Sequence, residues 1–167
     1  SSYTAWCSRP CFQIASAICP AAVVDPCVTH CPPAPQTCRT AERSRIVRKL
    51  PLDPRQRRFT WRWTRGTSTT LPELGEPTAD TEYALCLYGG TTPALLGEVV
   101  VADAARWRPV ASKGWLYADP PATRGLTKIV LHASDRDRAK ILVTGKGGAL
   151  PEAPVPAGTP LTVQLVN

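Results

Sequence analysis

Cysteine is the residue type in this sequence with the clearest potential for chemistry. The chain has seven cysteines, and all but one of them precede residue 39. The disulfide candidates are Cys7, Cys11, Cys19, Cys27, Cys31, Cys38 and Cys86. Such clustering is typical of disulfides formed in an oxidising compartment. Because the number is odd, at least one thiol lacks a partner within the chain unless two chains pair.

Sequence does not choose among the 15 ways in which the six clustered cysteines can pair. One nested option is Cys7–Cys31 with Cys11–Cys27. It requires both Cys-x3-Cys segments to be helical, since residues four apart share a helix face. Prolines at positions 26, 32 and 33 argue against a long second helix.

The spacing Cys27-x2-His30-Cys31 is also that of half a zinc site. The surrounding prolines and the excess of cysteines favour disulfides instead. No Cys-x2-Cys-His motif for haem attachment occurs. We therefore predict no metal site and no cofactor.

Groups of residues that could act together in catalysis are equally sparse. There is no G-x-S-x-G elbow. His132 lies beside Ser134, Asp135 and Asp137, but residues so close on one strand do not form a triad, so we interpret this as a surface turn. The arginines around Asp135-x-Asp137 weaken a calcium interpretation. Further carboxylates cluster in one loop without partners: Glu73, Glu76, Asp80 and Glu82. We predict no catalytic residues, and a non-enzymatic protein.

A basic stretch runs along the chain between residues 43 and 65. Its members are Arg43, Arg45, Arg48, Lys49, Arg55, Arg57, Arg58, Arg62 and Arg65. One interpretation is a surface for an anionic glycan, a lipid headgroup or nucleic acid. In the other, the arginines cover a solvent face while Trp61 and Trp63 enter the core, which their alternation favours. The net charge of +7 suits either interpretation, since moderate positive charge also serves solubility.

Three aromatic residues, Trp107, Trp115 and Tyr117, are candidates for contact with a glycan or a partner. Together they could form a platform for sugar rings. Aromatic residues at such spacing also commonly pack in the core or at its rim.

The elements that must position these residues are short strands. The unit on which the rest is arranged spans residues 125–147. In its first predicted strand Ile129 and Leu131 share a face, and in its second predicted strand Ile141 and Val143 share a face. Period-2 patterning broken by a polar turn predicts a hairpin. We predict further strands at residues 45–50, 58–65, 83–88, 95–101, 106–110, 114–118 and 161–166. Pro109 places the strand at 106–110 on a sheet edge.

This succession of strands predicts an all-β fold, an antiparallel β-sandwich that is Ig-like or jelly-roll-like. We divide the chain into a Cys/Pro-rich, disulfide-braced N-terminal arm at residues 1–44 and a β-sandwich domain at residues 45–167. The arm has few core residues. A turn or two of helix is expected near residues 13–19, and Pro32-Pro33-Ala34-Pro35 predicts a stiff polyproline II spacer.

Several motifs resemble an uncharacterised β-rich domain of secreted proteins from high-GC, myxobacteria-like bacteria. They are Phe59-x-Trp61-x-Trp63, residues 83–88, Trp115-Leu116-Tyr117, residues 125–129, residues 139–147 and residues 163–167. The resemblance covers about residues 45–167. It implies an extracytoplasmic β-domain and no particular activity.

This chain departs from the family's pattern at its end. Domains of that kind usually continue beyond the strand at 163–167 into a short segment carrying Cys and Trp, whereas this sequence stops at Asn167. If that segment supplies a strand and a partner for Cys86, both are missing here. Cys86 is then free, paired with the N-terminal cluster, or bonded to another chain.

These observations lead to a hypothesis about function. The sequence lacks methionine and any run of about 20 apolar residues, so we expect a processed, secreted or cell-surface protein without a transmembrane segment. The leading expectation is a structural subunit that assembles through its arm and an open sheet edge, as a filament or with a surface protein. The alternative is a carbohydrate-binding or adhesive module. An anionic polysaccharide is a candidate partner, and specific nucleic-acid binding is not expected.

Overall fold

The chain forms two β-sheets that pack face to face. The computed structural model describes residues 3–7, 30–155 and 158–167, and it describes residues 3–7 by their backbone alone. Four-stranded sheet A has the order β1 (Tyr3–Cys7), β10 (Leu161–Val166), β4 (Tyr83–Gly89), β5 (Ala94–Val101). Six-stranded sheet B has the order β2 (Ala41–Lys49), β3 (Arg58–Gly66), β9 (Ala139–Lys146), β8 (Leu126–His132), β7 (Gly114–Ala118), β6 (Trp107–Pro109). The predicted β-sandwich is confirmed.

Neighbouring strands are antiparallel, except that β1 runs parallel to β10. Short 3₁₀ turns occur at Pro54–Gln56, Pro72–Leu74 and Ala104–Arg106. Within the described part of the chain, no helix is long and apolar enough to span a membrane.

Alternation along the strands builds the core between the sheets. In β3, Phe59, Trp61 and Trp63 are buried while Arg58 and Arg62 are exposed. The other inward-facing residues of sheet B are Trp107, Tyr117, Ile129, Leu131, Ile141 and Val143. Sheet A contributes Tyr83, Leu85, Leu87, Val99, Val101, Leu161, Val163 and Leu165. Burial of these large apolar side chains is the main driving force for stacking the two sheets.

The central strand β4 is buried along its whole length. Its residues Ala84, Cys86 and Tyr88 point away from sheet B and form a second cluster with Cys31 and Val166. Residues from the N-terminal arm therefore cover the outer face of sheet A. An open antiparallel sheet would show polar side chains on that face.

The strands largely follow the predicted pattern, with two differences. The first predicted strand begins at Ala41 rather than Arg45, so the expected limit between arm and sandwich falls inside β2. The arm also adds β1 to sheet A, which the sequence did not suggest. The helix expected near residues 13–19 lies outside the described residues. The edge position of β6 and the β8–β9 hairpin are confirmed.

Gly114 allows β7 to approach β8 closely. A Cβ at this position would lie 1.8 Å from the backbone oxygen of Leu131. That oxygen belongs to a central strand and cannot move without displacing the hairpin. Gly148, by contrast, is exposed, and its nearest neighbour would be a side-chain atom of Pro54 at 3.6 Å.

We expect Gly114→Ala to lower the free energy of unfolding by about 2–3 kcal/mol, since overpacking against backbone forces the strands apart. The control Gly148→Ala should be neutral or slightly stabilising, because it reduces the freedom of the unfolded chain. Urea unfolding followed by tryptophan fluorescence measures both variants. Equal stabilities for the two variants would contradict this account of β7 packing.

Candidate functional site

A disulfide anchors the arm to the middle of sheet A. Cys31 is bonded to Cys86 of β4, 55 positions away in sequence, and both residues are buried. Of the alternatives for Cys86, the structure thus shows pairing with the N-terminal cluster. The nested pairing Cys7–Cys31 is wrong, because a cysteine sulfur forms only one disulfide bond and that of Cys31 is to Cys86. The same bond removes the Cys31 thiolate from any zinc site.

Cys38 is disulfide-bonded as well. The side chains of the other disulfide candidates, Cys7, Cys11, Cys19 and Cys27, lie outside the described residues.

Hydrogen bonds continue the attachment beyond the disulfide. The Tyr88 hydroxyl donates to the Pro32 carbonyl at 3.0 Å, and the Leu95 backbone N–H donates to the Pro33 carbonyl at 3.3 Å. Residues 32–35, predicted to be a spacer, therefore lie against sheet A. A proline-rich segment suits this position, because its backbone has few N–H donors that would need partners.

Gln164 of β10 completes the attachment with a reciprocal pair of bonds. The Gln36 backbone N–H donates to Gln164 Oε1 at 3.1 Å, and Gln164 Nε2 donates to the Gln36 carbonyl at 2.7 Å. Gln164 is only 2% exposed. A buried amide would be costly without these partners, so the pair fixes where the arm crosses β10.

An ionic contact holds the arm where it leaves sheet A. The Arg39 guanidinium pairs with Glu73 and also donates to Thr69 Oγ1 at 3.0 Å. Glu73 accepts from the Thr70 backbone N–H at 2.7 Å and from the Thr70 hydroxyl at 2.8 Å. These donors, led by the Thr70 N–H, hold the pKa of Glu73 below its ordinary value.

The three aromatic residues expected to contact a glycan do not form an exposed platform. Trp107 and Tyr117 are 5% and 2% exposed, and their ring centroids lie 5.4 Å apart in the core. Trp107 also packs on Tyr83, with a centroid distance of 5.2 Å. Trp115 is half-buried, and its indole N–H donates to the Gly75 carbonyl at 3.1 Å. Trp107 and Tyr117 thus belong to the core, and Trp115 is the one of the three that is partly accessible.

The turn after His132 is held against residues 68 and 69. The Ser68 backbone N–H donates to Asp137 Oδ1 at 2.7 Å, and Thr69 bridges to Ser134. In the carboxylate-rich loop, Glu82 bonds to His30 Nε2 at 2.7 Å. Within residues 30–155 and 158–167, no group of three or more His, Cys, Asp or Glu is placed to hold a metal ion.

The basic stretch divides into two groups. Trp61 and Trp63 enter the core, and Arg58 and Arg62 face solvent, as the alternation predicted. Arg57 is instead 8% exposed, donates to the Leu150 carbonyl at 3.1 Å and pairs with Glu152. Arg48 likewise donates to the Ala153 carbonyl at 3.0 Å.

Arg48 and Arg57 therefore hold the loop before β10, a role with no signal in the sequence. In each of these two hydrogen bonds the donor and the acceptor residue are about 100 positions apart in the sequence. Only the folded chain brings them together. The members at exposed outward positions of sheet B are Arg43, Arg45, Lys49, Arg58 and Arg62.

Comparisons of the chain with family models, with curated proteins and with solved structures found no match. The two candidate surfaces are thus defined by geometry alone: the covered face of sheet A with the β1–β10 edge, and the basic outer face of sheet B.

Removing the disulfide with Cys31→Ala/Cys86→Ala should lower the free energy of unfolding by about 2–4 kcal/mol, because the bond closes a long loop in the unfolded chain. Thermal and urea unfolding of the double variant measure this. The single variant Cys86→Ala serves as the control and should lose a similar amount. Wild-type stability in the double variant would contradict the role of this bond as the anchor of the arm.

Glu73 should make stability depend on acidity. Its pKa is lowered in the folded state, so its stabilisation is present above the unfolded value near pH 4.3 and is lost as pH falls through the folded value. We expect Glu73→Gln to cost at most about 1 kcal/mol at pH 7, since the side chain is 38% exposed. The difference from wild type should vanish at the lowest pH where the protein folds. Glu76→Gln, which removes a carboxylate from the same loop, is the control and should cost less than Glu73→Gln at pH 7.

Proposed function

We propose that the protein is a non-enzymatic structural subunit of an extracytoplasmic assembly, in which β1 of one copy completes sheet A of the next. The observation that carries this proposal is the pairing of β1 with β10. The register runs from Tyr3 beside Thr162 to Cys7 beside Val166, in parallel orientation. A strand supplied from the N-terminal arm thus forms the edge of sheet A.

Such a strand is suited to exchange between copies. Its backbone hydrogen bonds to β10 are the same whether β1 comes from the same chain or from a neighbour. Without β1, the outer edge of β10 would present unpaired N–H and C=O groups, which favours addition of a strand.

The disulfide at Cys31 limits which part of the arm can be exchanged. Residues from Cys31 onward are bonded to their own β4 and stay with it. The chain between Cys7 and Cys31 can span on the order of 70 Å when extended, at about 3.3 Å per residue. That reach is enough for β1 to pair with the β10 edge of an adjoining copy.

The geometry of exchange favours a filament. Each copy would donate β1 and accept β1 at a different site, which is a head-to-tail contact that need not close. Disulfides are stable in oxidising compartments, which supports a secreted or cell-surface location. The resemblance of residues 45–167 to secreted bacterial β-domains supports the same location.

Ala5→Pro tests this proposal. Proline fixes φ near −65° and removes a backbone donor, so β1 should no longer pair with β10. We expect wild type to form oligomers that grow with concentration and Ala5→Pro to remain monomeric, by size-exclusion chromatography with light scattering. Ala5→Ser is the matched control and should assemble like wild type. A wild-type protein that stays monomeric at all concentrations, or unchanged oligomers of Ala5→Pro, would refute strand exchange.

A further inference from the structure

The outer face of sheet B concentrates positive charge. Outward-pointing positions are those that alternate with the buried ones in each strand. The cations at these positions, here called the basic face, are Arg43, Arg45, Lys49, Arg58, Arg62, Arg108, Lys128, Lys140 and Lys146. Every strand of sheet B except β7 contributes. No Asp or Glu occupies an outward position within the paired residues of this sheet.

The register places like charges side by side. Arg45 lies directly opposite Arg62. Arg58 lies between Lys49 on β2 and Lys146 on β9, so three cations form one row across three strands. Like charges directly opposite each other destabilise a sheet. A protein surface that serves solubility alone usually intersperses positive and negative charges. Rows of cations side by side therefore indicate a surface adapted to an anionic ligand.

Two depressions follow this surface along β2 and β3. The larger, of about 720 Å³, lies at the end near the β8–β9 turn, and the smaller, of about 220 Å³, lies between Arg45, Val47, Thr60 and Arg62. The stretch of β2 from Arg43 to Lys49 measures about 20 Å at 3.4 Å per residue. The two depressions follow one another along β2 and are here together called the trough.

The acidic residues in the larger depression are already occupied. Glu42 pairs with Arg65 at 3.0 Å, and Asp137 accepts the Ser68 backbone N–H at 2.7 Å. The other charged residues that line it are Arg43, Arg136, Arg138 and Lys140. Positive charge consequently dominates the trough over its whole length.

The neutral residues of the trough indicate which polyanion fits. Thr60 and Thr64 line the two depressions between the cations, where their hydroxyls can bond to sugar hydroxyls. Beside the trough, Leu142 and Val130 are half-buried at outward positions and offer a small apolar surface to a sugar ring. The outward positions of the described strands of sheet B carry no Trp, Tyr or Phe on which bases could stack.

We propose that this trough binds a linear polysaccharide that carries carboxylate or sulfate groups. The acidic groups pair with Arg43, Arg45, Arg62 and Lys140, and the sugar hydroxyls bond to the intervening threonines. Binding relieves the repulsion between Arg45 and Arg62. The site lies on the sheet opposite to β1, so it is independent of assembly and a filament would display it repeatedly.

Titration calorimetry with heparin and with alginate tests this site, with neutral dextran as the comparison ligand. Arg45→Gln/Arg62→Gln should weaken binding about tenfold and reduce its dependence on salt, because two ionic contacts are lost. The control Lys113→Gln/Arg124→Gln makes the same change in net charge at exposed positions outside the basic face. It should bind nearly as well as wild type.

Stability gives a second readout. Arg45→Gln/Arg62→Gln should keep or raise the melting temperature, since it removes like charges that face each other. Equal weakening by the two double variants would refute a defined site. Tighter binding to duplex DNA or to phosphatidylserine vesicles than to either polysaccharide would refute the proposed ligand. Ala5→Pro should bind like wild type, which separates this proposal from strand exchange.

Discussion

The central strand β4 has apolar side chains on both of its faces, and this constraint shapes the rest of the molecule. One face is covered by sheet B across the main core. The other, around Cys86 and Tyr88, would expose apolar surface if the sandwich consisted of residues 45–167 alone. Covering it requires the arm, and the Cys31–Cys86 bond makes that cover permanent. Arm and sandwich are therefore one cooperative structure from Cys31 onward.

This attachment separates two roles within the arm. Residues from Cys31 to Arg39 are bound to sheet A by the disulfide, by hydrogen bonds to Tyr88 and Gln164, and by the Arg39–Glu73 ion pair. The strand β1 pairs with β10 at the edge of the sheet. Because the bound segment stays in place, β1 can be exchanged between copies without unfolding the rest of the chain.

The two outer faces of the sandwich differ for a physical reason. The arm covers sheet A, so few side chains there meet solvent. The outer side of sheet B is open, and its exposed positions carry the cations that give the chain much of its net charge of +7. In the function proposed above, assembly uses the edge of sheet A and a polyanion uses the opposite, outer face of sheet B. Neither use disturbs the aromatic core around Trp107 and Tyr117.

Much of the fold could be predicted because strand patterning is local. The alternation of Trp61 and Trp63 with arginines predicted correctly which face of β3 is buried. The apolar run of β4 also carried a signal, since a strand buried on both faces lacks polar alternation. It carries no signal of which segment covers Cys86.

The sequence by itself determined the strands, their inward faces and the presence of disulfides, since these depend on neighbours two positions apart or on composition. Only the tertiary structure decided the pairing of Cys31 with Cys86, the position of β1 beside β10, and the burial of Trp107 and Tyr117. It also decided that cations from separate strands share one face. These features depend on residues far apart in the chain, whose proximity follows from strand order and register rather than from local pattern.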